Sequence, residues 1–460
     1  MTDLLIENLA EIATPIGTTP RRGAEQRAVL RLRAGSGSSA GSAGSAGAAG
    51  STAPDASGVE ILCRAGRLAF VGSRSERERL WGELPGTARL DGRRMTAVPG
   101  FVDGHTHLPW AGSREDEFVQ RLGGRSYQEI AAAGGGILAT VRATRAAEAP
   151  ELVELALDRL RWMLSCGTTT AEAKSGYGLS LGEELKQLEA IRAAGAAQPV
   201  ELVPTLLAAH EVPADYRDRR DAYLDLVCEE IVPAAAERGL ARFCDVFCEK
   251  GVFSAAESRR VLEAGRRHGL LPRLHADEFV DSGGAQLAAE LGALSADHLM
   301  AVSPAGIEAL AAAGVTALLL PGTSFFLAKR IYAPARRLIA AGVPVALGTD
   351  CNPGSSYTES LPTIVQLAVF ELGMTIEEAL TAVTLNPACS LGLGREIGSL
   401  EAGKRADIVL LEAPNLLHLA YHYGVNPVRS VIKAGREVYR AGNLAAATSA
   451  TSRSIQGIQS

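Results

Sequence analysis

The sequence predicts an α/β fold: a parallel (β/α)8 barrel of the TIM type, with a small β-sandwich domain built from both chain ends. Three observations predict it. From about residue 96, short apolar runs alternate eight times with stretches of helical period. Histidines and acids fall at the C-terminal ends of those runs. Both chain ends carry alternating, strand-like segments around a glycine turn.

In chain order, the N-terminal module offers RAVLRLRA and VEILCRAGRLAFVGS as strands. Between them residues 35–52 read GSGSSAGSAGSAGAAGST. Gly, Ser and Ala bury too little apolar surface to offset their chain entropy, so this segment is expected to be a flexible, expanded hairpin loop. The eight barrel runs are residues 98–104, 167–173, 200–207, 242–248, 270–276, 293–299, 315–322 and 343–350. ELVELALDRLRWML, LGEELKQLEAIRAA and SAAESRRVLEAGRRH are helices between them. A doubly wound sheet would alternate in the same way, but it would string strand-end residues along an edge. A barrel gathers them in one bowl at its C-terminal face. After the barrel, GSLEAGKRADIVLLE and VRSVIKAGREVYRAG return to strand character. The expected division is 1–95 and 393–445 for the two parts of the sandwich, 96–392 for the barrel, and 446–460 for a frayed tail.

Composition sets limits. Of 460 residues, 47% are hydrophobic, which is enough for a large core. Lys+Arg 46 against Asp+Glu 52 gives a formal charge of -6, which argues against nucleic acid or an anionic membrane as partner. No apolar run approaches the ~20 residues of a membrane span. MTDLLIENLAEIATP lacks the basic start and apolar stretch of a signal peptide, so a cytoplasmic location is expected. The seven cysteines are an odd number and form no CxxC pair, which reads as free thiols in a reducing compartment.

The chemistry concentrates at strand ends. His105-Thr106-His107 is the sharpest motif, because residues two apart on a strand point to one side. His275 in LHADE and Asp350 in LGTD add two donors from the fifth and eighth runs. Three imidazoles and a carboxylate suit zinc or iron and leave a position open for water, as a catalytic site requires. Asp350 is then expected to ligate, accept the water proton and pass it to a leaving nitrogen. Glu278 and His298 are expected to orient the water and polarise the substrate. Singly, His275 and Asp350 have capping or core roles as alternatives, and His298 a structural one.

Arg114 follows the histidine pair and suits bidentate capture of a carboxylate; a surface ion pair with Glu115 or Glu117 is the alternative. Tyr177 stands between two glycines that would admit a ligand close to the backbone. Tyr127 is either a second aromatic contact or a packed helix-start residue. CNPGSS offers Asn352, Gly354 and Ser355 for a second carboxylate, or is a plain turn. His418 and His422, outside the barrel, read as packing, and His268 as a helix-end charge partner.

These strings carry a resemblance. PGFVDGHTHLPWAGSREDEF, GGGILATVRATR, AEAKSGYGL, TLLAAHEVP, LHADEF, SADHL, PGTSFFLAKRIYAPARRLI and GTDCNPGSS, spread over roughly residues 60–440, resemble the amidohydrolase superfamily. Within it the chain looks like those members that open the ring amide of 4-imidazolone-5-propanoate to N-formimidoyl-L-glutamate in histidine degradation. The resemblance implies one zinc or iron ion per subunit on His105, His107, His275 and Asp350. It implies substrate contacts from Arg114, Tyr177 and His210, with Glu278 and His298 in the catalytic shell. Asn352, Gly354 and Ser355 would hold the glutamate end of the product, and the protein would be a cytoplasmic homodimer acting on a small molecule. Other amidohydrolases, such as deaminases or cyclic-imide hydrolases, are the nearest alternative, and a non-catalytic scaffold of the same fold is the further one. The chain departs from the pattern at Pro109 and at Cys351, which is expected to set a thiol near the metal.

Overall fold

A computed structural model describes residues 2–33, 58–125, 129–130 and 133–442. The Gly/Ser/Ala segment at 35–52, Tyr127 and the tail at 446–460 lie outside the described residues.

Eight parallel strands form one curved sheet in chain order: β1 (Phe101–Asp103), β2 (Thr168–Lys174), β3 (Glu201–Ala209), β4 (Phe243–Cys248), β5 (Leu274–Ala276), β6 (Ser295–His298), β7 (Thr316–Leu319) and β8 (Val345–Leu347). Each falls within or overlaps one of the expected runs. The barrel closes just past the strand ends, where Thr106 pairs with Cys351. Asp350 N donates to His105 O at 3.0 Å and His107 N to Cys351 O at 3.0 Å. Below them Thr349 Oγ1 donates to Asp103 Oδ2 at 2.7 Å. The seam that closes the barrel therefore runs through three of the expected ligands. The strands are buried on both faces, as parallel sheets require, and β2 and β4 are buried at every residue.

The helices lie where the 3.6-residue period puts them. Ala149–Ser165, Leu181–Ala197 and Ala255–Arg267 coincide with the three stretches quoted above. The last begins with a reciprocal cap between Ser254 and Glu257, which satisfies backbone N–H groups that the first turn leaves without partners. No helix among the described residues is long and apolar enough to cross a membrane.

Both chain ends build the second unit. A four-stranded sheet orders Arg67–Ser73, Val59–Arg64, Leu4–Leu9 and Ala88–Asp91. A six-stranded sheet orders Arg436–Arg440, Val428–Lys433, Ile408–Leu411, Thr96–Pro99, Glu11–Pro15 and Val29–Arg33. One apolar cluster, with Ile6 and Ile61 from the first and Ile12, Leu410 and Ile432 from the second, lies between them.

Two expectations need correction. The strands flanking residues 35–52 do not form a hairpin, because they belong to different sheets. Val29–Arg33 is held in the six-stranded sheet by the buried Glu11 carboxylate, which pairs with Arg31 and Arg33. The run at 98–104 also divides. Thr96–Pro99 pairs in the six-stranded sheet, beyond the boundary expected at 95/96, and only Phe101–Asp103 enters the barrel. Gly100 makes the transition possible, since a Cβ there would lie 2.4 Å from Thr169 Oγ1.

Candidate metal centre and substrate cavity

The extended segment after β1 turns His105 and His107 to one side. Their Nε2 atoms stand 3.2 Å apart, and each is 3.4 Å from Asp350 Oδ1. His275, carried on the end of β5, brings its ring centroid to 4.6 Å from that of His105. Donor atoms of His105, His107 and His275 lie within 4.8 Å of one another, as do those of His105, His298 and Asp350. Donors on a tetrahedron at a zinc–nitrogen distance of ~2.0–2.1 Å are about 3.4 Å apart, which is close to the spacing among His105, His107 and Asp350. His275 Nε2 is buried and has no hydrogen-bond partner among the described residues, so its lone pair is available to a cation. The residues present therefore fit a metal ion.

The far nitrogens of two rings are held by carboxylates that sequence reading missed. His105 Nδ1 donates to Asp297 Oδ2 at 2.7 Å, and His275 Nδ1 to Asp245 Oδ1 at 3.1 Å. Such bonds fix the tautomer and leave Nε2 to the metal. The register explains the first: His275 and Asp297 are ladder partners across β5 and β6, which brings Asp297 to the barrel centre. Asp350 is held in the same way. Thr323 Oγ1 donates to its Oδ2 at 2.6 Å and Ser355 Oγ lies at 3.3 Å, leaving Oδ1 to face the imidazoles. The signal for Asp245 and Asp297 was present as carboxylates inside apolar strands; nothing local marked Thr323.

Electrostatics agree with a cation site. Burial pushes His107 down to about 4, which keeps it a neutral donor. His105 is raised to about 9: burial works against its charged form, but the Asp297 and Asp350 carboxylates outweigh it and favour positive charge at this spot. Burial, reinforced by the Asp350 charge, raises Glu278 to about 8. His298 Nε2 stands 3.8 Å from Glu278 Oε2, and burial holds His298 well below its ordinary value. Asp350 and His298 adopt left-handed backbone, with φ 53 and 76, a strained state that tightly packed sites tolerate.

These donors open into a cavity of about 790 Å³. His107, Arg114, Tyr177, His210, His275, Glu278, His298, Asp350, Asn352 and Ser355 all line it. His105 does not line the cavity, and neither does Gly354. Arg114 unites its two readings. It lines the cavity, yet it is buried and donates through Nε to Glu117 Oε2 at 2.9 Å. Glu117 in turn accepts from Gly136 N at 3.0 Å, so the ion pair is part of the cavity wall and not of the surface. Gly354 serves the same arginine, because a Cβ there would lie 1.8 Å from Arg114 Nη1.

Other placements differ in reason. Asn352 Oδ1 accepts from Gly354 N and Ser355 N, both at 2.8 Å, and so shapes its own loop. The glycines around Tyr177 admit protein and not ligand. A Cβ at Gly176 would lie 3.0 Å from His210 Nδ1, and one at Gly178 would lie 2.4 Å from Glu184 N. His210 Nδ1 donates to Gly176 O at 2.9 Å, leaving Nε2 as an acceptor. Glu249 holds the β5 loop by accepting from Phe279 N and Val280 N. Cys351 packs in the apolar core, and its Sγ joins neither cluster of candidate metal donors among the described residues. His418 contacts Asn415 and belongs to no candidate metal-binding group among the described residues. Cationic Arg217, Arg220, Lys250 and Lys329 also line the cavity and were not singled out from sequence.

The barrel and its donor set define a metal-dependent hydrolase. A model of the amidohydrolase family matches residues 96–438. A curated relative named imidazolonepropionase, from Symbiobacterium thermophilum, is 52% identical over 443 residues, covering 96% of this chain and 98% of the relative. One of the same name from Alkaliphilus metalliredigens is 45% identical over 446 residues, covering 96% and 100%. The solved structure of E. coli guanine deaminase superposes with a TM-score of 0.69 at 16% identity, covering 96% of this chain and 99% of that one, which speaks for the fold alone. The chain belongs to the amidohydrolase family, in its imidazolonepropionase branch.

Proposed function

We propose that this protein hydrolyses the ring C–N amide bond of 4-imidazolone-5-propanoate to N-formimidoyl-L-glutamate, a step of L-histidine degradation. The observation that carries the proposal is a buried cluster of imidazoles with Asp350, beside a buried arginine that lines the same cavity. His105, His107, His275 and Asp350 would hold one zinc or iron ion. Bound there, such an ion polarises a carbonyl and lowers the pKa of water from ~15.7 towards ~7.

The chain's own groups do the rest. Arg114, steadied by Glu117, binds the propionate. Tyr177 and His210 flank the ring, with Tyr127 as a further aromatic contact. Asp350 takes a proton as water attacks the carbonyl carbon, and returns it to the ring nitrogen as the C–N bond breaks. Glu278, protonated near neutrality, donates towards the substrate, and His298 fixes it from the far side. Asn352 and Ser355 receive the carboxylate end of the product, and Gly354 leaves room beside them for the Arg114 guanidinium. We place the enzyme in the cytoplasm as a homodimer.

The test is absorbance loss of enzymatically generated imidazolone propanoate with metal-loaded protein. Turnover of this substrate is expected. No loss, together with ammonia release from a purine or pyrimidine, would assign the chain to a deaminase. Purified protein that takes up no metal would favour a scaffold.

A further inference from the structure

We propose that Lys174 is a positioning residue for the metal centre: its one ammonium clamps both carboxylates that aim the ligand imidazoles. The inference rests on the metal reading above. Lys174 ends β2 and is wholly buried. Its Nζ lies 2.6 Å from Asp245 Oδ2, 2.6 Å from Glu172 Oε1 and 3.8 Å from Asp297 Oδ2. Asp245 accepts from His275 and Asp297 from His105. Two of the three ligand rings, those of His275 and His105, are thus one hydrogen bond from a carboxylate that Lys174 pairs with.

Arg273 completes the floor. Its Nη2 lies 3.6 Å from Asp297 Oδ2 and donates to Gly104 O, the residue before His105, at 2.8 Å. Its Nε lies 3.7 Å from Glu172 Oε1. Glu172 Oε2 accepts from Thr106 N at 3.2 Å, between the two histidines. Two cations thus face three carboxylates beneath the donor set, an anionic floor that attracts a cation above it.

Fold stability does not call for this arrangement. Barrel interiors ordinarily pack branched apolar side chains, and replacing a buried ion cluster by apolar residues is often neutral or stabilising. What the cluster uniquely supplies is orientation, since it ties strands β2, β4 and β6 to two ligand rings. A carboxylate free of Lys174 can rotate, and its imidazole loses the tautomer and angle that present Nε2.

The experiment measures zinc affinity by chelator competition, using the apo form of the full chain. Lys174→Met is compared with the parent, and Lys174→Met/Glu172→Gln removes the ion pair as a unit. The dissociation constant is expected to rise ~10–100-fold in either variant, with cooperative melting retained. Because the closer contact is to Asp245 and the longer one to Asp297, Lys174→Met in an Asp245→Asn background should add clearly less than it does in the parent. Affinity within about 3-fold of the parent, or the full loss repeated in the Asp245→Asn background, overturns the proposal. Failure of both variants to fold also overturns it, by assigning Lys174 to the fold. A parent that binds no zinc overturns the metal reading itself, a distinguishable result.

Discussion

Thr323 Oγ1 donates a 2.6 Å hydrogen bond to Asp350 Oδ2, from the helix Pro321–Phe326 across to the residue that follows β8. That bond occupies one carboxylate oxygen and leaves the other, 3.4 Å from two imidazole nitrogens, to face the centre. Thr323→Val keeps the shape and removes the donor. A fall of ~10–100-fold in kcat with little change in KM is expected, as for other residues that hold a ligand. Unchanged steady-state kinetics would dissociate Thr323 from catalysis.

Arg114 and Gly354 form a second pair. Losing a charge-assisted hydrogen bond costs ~1.5–3 kcal/mol, so Arg114→Ala should raise KM about 10–100-fold and alter kcat less. Gly354→Ala should imitate it, because the new Cβ takes the place of the guanidinium. The double variant should be no worse than Arg114→Ala alone. A normal KM with lost turnover in Arg114→Ala would contradict the substrate role.

His275→Ala removes the one imidazole on β5 whose free nitrogen points at the centre. Metal content and activity should fall together. The parent's Tm should rise with added zinc, by mass action on the folded state, and the variant's should not. Parent-like metal content in the variant, by elemental analysis, would remove His275 from the ligand set.

Every one of the seven thiols is pushed up by burial: Cys63 to about 12, Cys248 and Cys389 to about 11, and Cys166, Cys228, Cys244 and Cys351 also upward. A raised pKa lowers the thiolate fraction at any pH below it, and the thiolate is the nucleophile. Native protein should therefore resist iodoacetamide at pH 8, label faster as pH rises towards 11, and label at all seven positions when denatured. Mass spectrometry of native protein fully alkylated at pH 8 would refute this.

Much of the site was legible because the relevant signals are local. HxH on an extended segment puts two rings on one side whatever surrounds it, and apolar period separates strand from helix without knowledge of partners. The clustering of histidines at strand ends became a bowl once the alternation was read as a barrel. Asp245, Asp297, Lys174 and Thr323 were missed because their roles exist only between distant segments, up to 192 positions apart for Asp297 and His105. The hairpin expected around residues 35–52 failed for the same reason. Two neighbouring strands in sequence each found a better partner elsewhere, one at Glu11 and one at Leu4–Leu9.

By itself, the chain's pattern determined the alternation of strand and helix and which residues to weigh as donors, since these follow from side-chain period and residue chemistry. Tertiary structure alone decided which oxygen of Asp350 faces the centre, which carboxylate steadies each imidazole, and that Arg114 is paired yet still lines the cavity. Those outcomes depend on distances set by barrel curvature and ladder register, and neither is encoded in any contiguous stretch of residues.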